Sequence, residues 1–247
     1  MTSAAETSIQ LGRVAVSGVL SYALHKVGAM TLGRLGPATL RKGERLYLAE
    51  LVPSTVHALL MAGAATYFVS SDLWKADMVE PYDERLSWVF AFSAGYSIHD
   101  SIVCALHGEH FTMYAHHIVM AIGATGMSLY KRTALVPIFF YLSEWSVPVQ
   151  NALYLAEKTQ ASPVVVRALL ILRMVMFLLF RTAQLPSFAF LLHSRGFSFF
   201  DAMSKVHVGI AGLTVANVLL LTALNSVWTL ALLRRTLPLL RAVKNKH

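Results

Sequence analysis

Two adjacent histidines, His116 and His117, sit inside an apolar run, YAHHIVM (114–120). A neutral imidazole can take up a proton, give one back, or attack a carbonyl carbon to form an acyl-imidazole. A neighbouring carboxylate fixes the tautomer and makes the free nitrogen a better nucleophile, and Asp100 or Glu144 can serve. Both lie in apolar runs that flank the pair in sequence, as does Arg181 farther along. An ionisable group at membrane depth is expensive, so each must face the bundle interior, a partner or water. Metal is the competing use of such residues. His99, Asp100, His107, His110, His116 and His117 crowd together, but without the HxxxH and HxxHH spacings that converge on two metals in membrane di-iron desaturases. No metal site and no bound cofactor are expected, although a one-metal hydrolytic site is chemically open to such a set.

Helical spacing gathers these residues on common faces. Ser93, Tyr96, Ser97, Asp100 and Cys104 recur at steps of three or four, which makes one polar stripe. His110, Met113 or Tyr114, and His117 share a face of the next segment, with His116 beside them. Tyr141, Glu144, Pro148 and Asn151 follow, then Arg181 with Gln184, and last Thr214, Asn217, Leu221, Asn225 and Trp228. Asn, Ser, Thr and Tyr in such stripes commonly serve as interhelical hydrogen-bond partners. Convergence of five stripes on one interior cavity is the economical arrangement.

The elements that must hold them are membrane helices. Charged residues are 14% and hydrophobic residues 56% of 247 positions. A soluble domain carries about a quarter charged residues, so lipid must cover much of the outside. A spanning helix needs about twenty apolar residues, and the apolar stretches fall at 9–31, 47–70, 86–107, 111–130, 133–155, 164–192 and 206–233. The expected fold is all-α and polytopic, with about seven transmembrane helices. Arg13 and His25 interrupt the first, and the sixth is long enough to tilt or to break at Pro186. The N-terminal MTSAAETS lacks a basic region, so the first helix is expected to act as its own insertion signal. Cys104 is the single cysteine, which excludes a disulfide framework.

The net charge of +8 sits mainly in loops and tail. Arg34, Arg41, Lys42 and Arg45 follow the first span, and Arg234, Arg235, Arg241, Lys244 and Lys246 follow the last. With an odd number of spans both groups share one side, the cytosol by the positive-inside rule. The loop at 71–85, with Asp72, Glu80, Asp83 and Glu84, falls on the other side, and so, against the rule, do Lys131 and Arg132. The placement suits anionic lipid headgroups and excludes nucleic acid as a partner.

Five pieces in order, GYSIHD (95–100), YAHHIVM (114–120), LSEWSVPVQNALYL (142–155), LLFRTAQLPSF (178–188) and LNSVW (224–228), give the chain a resemblance to the TLC domain family. That family includes ceramide synthases, the translocating-chain-associating membrane protein and a ceroid lipofuscinosis protein. The resemblance implies a six-helix bundle around a lipid-sized cavity, here preceded by one extra helix. It divides the chain into an N-terminal helix and basic loop (1–45), a TLC domain (46–235) and a basic tail (236–247).

In ceramide synthases the histidine pair supports acyl transfer from acyl-coenzyme A to a sphingoid amine. By resemblance His116, His117, Asp100 and Glu144 are the candidate catalytic residues, and Arg181, Asn151, Tyr96 and Asn225 the candidate substrate-binding ones. The region after the pair reads EWSVPVQN and lacks the ceramide synthases' HD and second Asp, which draws the chain toward the TLC-domain-containing and ceroid-lipofuscinosis branches. The implied function is membrane lipid metabolism or homeostasis, by acyl transfer from a long-chain acyl-CoA co-substrate to a lipid acceptor at the intramembrane histidine pair. The implied partners are membrane lipids, acyl chains and, as a homodimer, a second copy of the chain. The implied location is the endoplasmic reticulum. The alternative is a non-catalytic lipid sensor or cargo escort.

Overall fold

A computed structural model describes residues 3–35, 37, 40–108 and 111–244, with side chains as far as residue 238. His110 and Lys246, and the side chains of Arg241 and Lys244, lie outside the described residues. The described chain is helical without strands. The helices are α1 (Ala4–Met30), α2 (Lys42–Ser70), α3 (Glu84–His107), α4 (Phe111–Tyr130), α5 (Leu135–Phe140) and α6 (Val147–Lys158). They continue with α7 (Pro163–Phe177), α8 (Gln184–Ser194), the short α9 (Phe199–Ser204) and α10 (Val208–Lys244).

This is an all-α polytopic membrane protein. Lys42–Ser70, Glu84–His107, Pro163–Thr182 and Val208–Pro238 are each long and apolar enough to cross a bilayer. The other expected spans are helical too, and each carries a reason for its lower apolarity: Arg13 and His25 in α1, the histidine pair in α4, and the broken course of α5–α6.

Side-chain ties mark the two ends of the bundle. At one end Arg13 donates to Glu84 over 2.9 Å, Lys131 donates to Glu84 over 3.2 Å, and Arg132 pairs with Glu80 at 3.1 Å. The unexpected cations of the 131–132 turn are thus neutralised by the acidic loop beside them. That loop is packed, with Trp74, Met78 and Val79 buried and Trp74 donating to the Pro81 carbonyl over 3.3 Å. At the other end Lys158 donates to Glu44 over 2.6 Å and Arg235 pairs with Glu157.

Local chemistry explains the element boundaries. Ser3 and Glu6 form a reciprocal capping box at the start of α1, and Asp83 caps α3 by accepting from the Arg85 amide. Gly108, at φ +79°, closes α3 in the left-handed conformation that an L side chain resists. Apart from Val14, the buried face of α1 is polar or small (Gln10, Ser17, Ser21, His25, Gly28), and its small residues let it lie close on α2 and α3. A Cβ on Gly28 would run into the Ala49 backbone, and one on Gly95 would meet the Val14 carbonyl at 2.5 Å.

Three spans depart from the expected course. The fifth span is not one α-helix: Tyr141–Ser146 is a 3-10 turn between α5 and α6. Pro148 follows at the start of α6, where its missing N–H has no helical partner to lose. The sixth span breaks ahead of Pro186 rather than at it. Leu178–Thr182 forms a π-turn, closed by Ala183 N–H donating to the Leu178 carbonyl over 3.0 Å. Pro186 then falls in the first turn of α8, where it costs no hydrogen bond. The last helix also runs on to Lys244, beyond the expected end at 233, so Arg234 and Arg235 are helical residues.

Candidate functional site

Helices α2, α3, α4, α6, α7 and α10 enclose a cavity of about 310 Å³. Asp100, His116, His117, Glu144, Tyr96, Asn151 and Arg181 all line it. A narrower, more apolar space of about 50 Å³ adjoins it, lined by Met127, Val136, Phe140 and Leu221 among others, and here Asn225 contributes. His116, Met120, Glu144 and Arg181 border both spaces. His116 therefore stands where the chamber that holds the ionisable groups meets a narrower apolar arm.

The predicted α3 stripe does face inward: Ser93, Tyr96, Ser97, Asp100 and Cys104 are all buried. One helical turn separates Asp100 from Cys104, whose thiol points at Asp100 Oδ2 over 3.7 Å. Across the interface His117 Nε2 lies 2.5 Å from the same oxygen, a close contact whose direction is off the line of an ideal hydrogen bond. Among the described residues His116 has no carboxylate against it. Its Nδ1 is buried and partnerless, which leaves Nε2 as the nitrogen open to the cavity. Trp228 packs edge-on to the His116 ring at 5.4 Å.

Glu144 and Arg181 owe their positions to the two irregular turns. In a 3-10 turn, side chains three apart eclipse one another, and this aligns Tyr141 with Glu144 on the inner face. The π-turn puts Arg181 inside the bundle, buried between the rings of Phe177 and Trp228 at 4.8 and 5.5 Å. Its Nε donates to Ser146 over 2.8 Å and its Nη1 to Asn225 over 3.2 Å. Asn225 in turn donates to Gln184 over 3.3 Å, and Gln184 to the Phe140 carbonyl over 2.7 Å. The remaining Nη2 has no hydrogen-bond partner among the described residues and is left to the cavity. Asn151 is different. Its amide nitrogen donates to Ser54 and Thr55 at 3.0 and 2.9 Å, so only its oxygen is left for a ligand. As a donor to a carbonyl or headgroup oxygen, Asn151 is already spent.

His57 and Glu50 are among the cavity residues that were not anticipated from the sequence. His57 stacks on Tyr96 at 4.0 Å and sits 3.9 Å from Glu144, and Glu50 lines the cavity beside Asp100. They lie seven positions apart on α2 with Ser54 between them, a polar stripe of the same kind as the others. The cost of ionisable groups in a membrane helix would have singled them out.

The sequence profile of the TLC domain matches residues 48–234, most of the chain. The chain belongs to the TLC domain family. A comparison with curated proteins finds none that matches. All of the candidate site residues and most of the cavity lining fall inside the TLC domain, with Tyr47 and Arg235 just outside its two ends, whereas α1 lies before it. Membership places the protein in membrane lipid metabolism in general.

Proposed function

We propose that the protein transfers a long-chain acyl group from acyl-coenzyme A to a lipid acceptor within the bilayer, in the endoplasmic reticulum. The observation that carries this is the position of His116, which faces both the apolar arm and the chamber holding the Asp100–His117 pair. An acyl chain in the arm brings its thioester carbonyl to that junction.

In this scheme His116 Nε2 attacks the carbonyl carbon, the C–S bond breaks, and the thiolate leaves. Because Nδ1 is buried without an acceptor, it keeps its proton, and the adduct is a cationic acyl-imidazolium, a better acyl donor than a neutral one. The acceptor's N–H or O–H then attacks the acyl carbon and its proton passes to His117. The bond to His116 breaks, and the proton on His117 goes to the thiolate. Asp100 stabilises the charged His117, and Glu144 offsets the charge on His116. Arg181 Nη2 is the donor placed to meet the developing oxyanion.

The test uses the full-length protein in lipid nanodiscs with long-chain acyl-CoA and a panel of sphingoid amines, lysolipids and fatty alcohols. His116→Ala and His117→Ala should each abolish transfer, a loss of about 10² to 10⁴, while the protein stays monodisperse. Wild-type turnover in the double variant on a verified substrate refutes the histidine scheme. Saturable acyl-lipid binding without turnover on any acceptor identifies an escort instead.

A further inference from the structure

Apart from the His116–His117 site, three helices bring a second set of ligating groups together. His25 of α1 and His99 of α3 both address one oxygen of Glu50 in α2. His25 Nδ1 lies 2.8 Å and His99 Nε2 3.1 Å from Glu50 Oε2. The two rings stand edge to face, with centroids 5.6 Å apart. Glu50 is 2% exposed, His25 7% and His99 9%. The other carboxylate oxygen, Oε1, is buried and has no hydrogen-bond partner.

Hydrogen bonding alone leaves this cluster poorly satisfied. Each imidazole can donate one N–H to Oε2, but no N–H or hydroxyl donor meets Oε1; the neighbouring Asp100 carboxyl, an acceptor like Glu50 itself, lies within hydrogen-bonding reach and can share only a proton with it. Charge leads to the same result. Among the buried described residues the carboxyl groups are Glu50, Asp100 and Glu144, and the one permanent cation is Arg181. Asp100 has His117 against it, and Glu144 shares its cavity with Arg181 and His57. Glu50 has two imidazoles against it and the carboxyl of Asp100 beside it, with no permanent cation in contact. A divalent cation would compensate the charge, occupy both imidazole lone pairs and engage both oxygens of Glu50.

We propose that His25, Glu50 and His99 form a metal site, with zinc the best fit. Two imidazoles and a carboxylate are a borderline donor set that suits zinc rather than calcium or magnesium. The three ligand atoms lie within 4.8 Å of one another. The N–O separations of 2.8 and 3.1 Å are close to the roughly 3.3 Å edge of a tetrahedron whose ligands are about 2.0 Å from the ion. Glu50 also lines the central cavity, which gives the ion a route in. Because His25 precedes the TLC domain, the ion would fasten α1 to the bundle. Asp100, Cys104 and His117 also cluster, but they belong to the site already described. This inference does not depend on acyl transfer.

Full-length protein in detergent, stripped with chelator and desalted, is titrated with zinc alone. Metal retained after a second desalting is measured by mass spectrometry, and unfolding is followed by intrinsic fluorescence. We expect about one zinc per chain and a higher unfolding temperature. His25→Ala and His99→Ala should lose the retained zinc, and Cys104→Ser should keep it. Should the histidine variants fail to fold, the wild-type result decides alone. Wild-type protein that holds no zinc and shows no thermal shift overturns the site, as does undiminished zinc in folded His25→Ala and His99→Ala.

Discussion

Replacing Asp100 by Asn changes one oxygen to an amide in a site where that oxygen lies 2.5 Å from His117 Nε2. The substitution preserves shape and removes charge. At 2.5 Å and an effective dielectric of 20, the attraction between a carboxylate and a protonated imidazole is about 7 kcal/mol. The amide dipole and the carboxylates of Glu50 and Glu144 retain part of that. A net loss of about 3–5 kcal/mol is typical when one partner of a buried pair is removed, which corresponds to about 10² to 10⁴ in rate. In the proposed scheme the loss falls on the second half-reaction, where His117 takes the acceptor's proton, because Asp100 does not touch His116. Asp100→Asn should therefore lower steady-state transfer by that factor and still load an acyl group. The assay is rapid quench with long-chain acyl-CoA, proteolysis and mass spectrometry of the peptide holding His116, alongside turnover on the verified acceptor. Acyl adduct should build up in the variant and stay low in wild type. Turnover within about threefold of wild type, or equal loss of adduct and product, refutes this division of labour.

The remaining expectations concern packing, the arginine network and orientation. Gly28→Ala should cost about 1–3 kcal/mol, read as a lower unfolding temperature in detergent, because the new methyl meets the Ala49 backbone. Gly63→Ala, with nothing within 4 Å of the added carbon, should be neutral or stabilising by about 0.5–1 kcal/mol. Arg181→Lys keeps the charge but cannot reach Ser146 and Asn225 together. A loss of about 1.5–3 kcal/mol per charged hydrogen bond is expected, and wild-type thermal stability would contradict the network. Glycosylation acceptors should be modified when inserted in the 71–85 loop and unmodified after Arg234. Glycan only after Arg234 would mean that the molecule is inverted.

Five polar stripes were legible before any coordinates, because a charge in lipid is so costly that its inward direction follows from its presence. Asp100, Glu144 and Arg181 were found that way, and the structure puts all three on one cavity. Backbone irregularity was not legible. The turns at 141–146 and 178–182 decide where Glu144 and Arg181 point, yet each replaces an α-turn by local hydrogen bonding that periodicity at 3.6 residues cannot register. Pro186 drew the expected break toward itself, although a proline in the first turn of a helix disturbs nothing. Pairing across helices was also hidden. That Asp100 would choose His117, and that the Asn151 amide would be used by Ser54 and Thr55, depends on helix rotations that no single stripe fixes.

The depth of the chemistry follows from where these residues sit along their helices. Asp100 and His99 lie near the C-terminal end of α3, Glu50 and Ser54 near the start of α2, and His116 and His117 near the start of α4. All of these helix ends meet at the face of the bundle where Glu44, Glu157, Lys158 and Arg235 form ion pairs. Arg173 and Arg235 line the cavity on that side, and Arg173 Nε is buried without a partner. The apolar arm runs the other way, along His116, Met120, Gly123 and Met127, a single face of α4. In the proposed reading these walls orient a bound amphiphile: its chain would descend along α4, and its anionic end would be drawn to two guanidinium groups. In the proposed reaction that polarity gives the departing thiolate of coenzyme A a cationic exit, while the acyl carbon stays against His116 in a site of low dielectric.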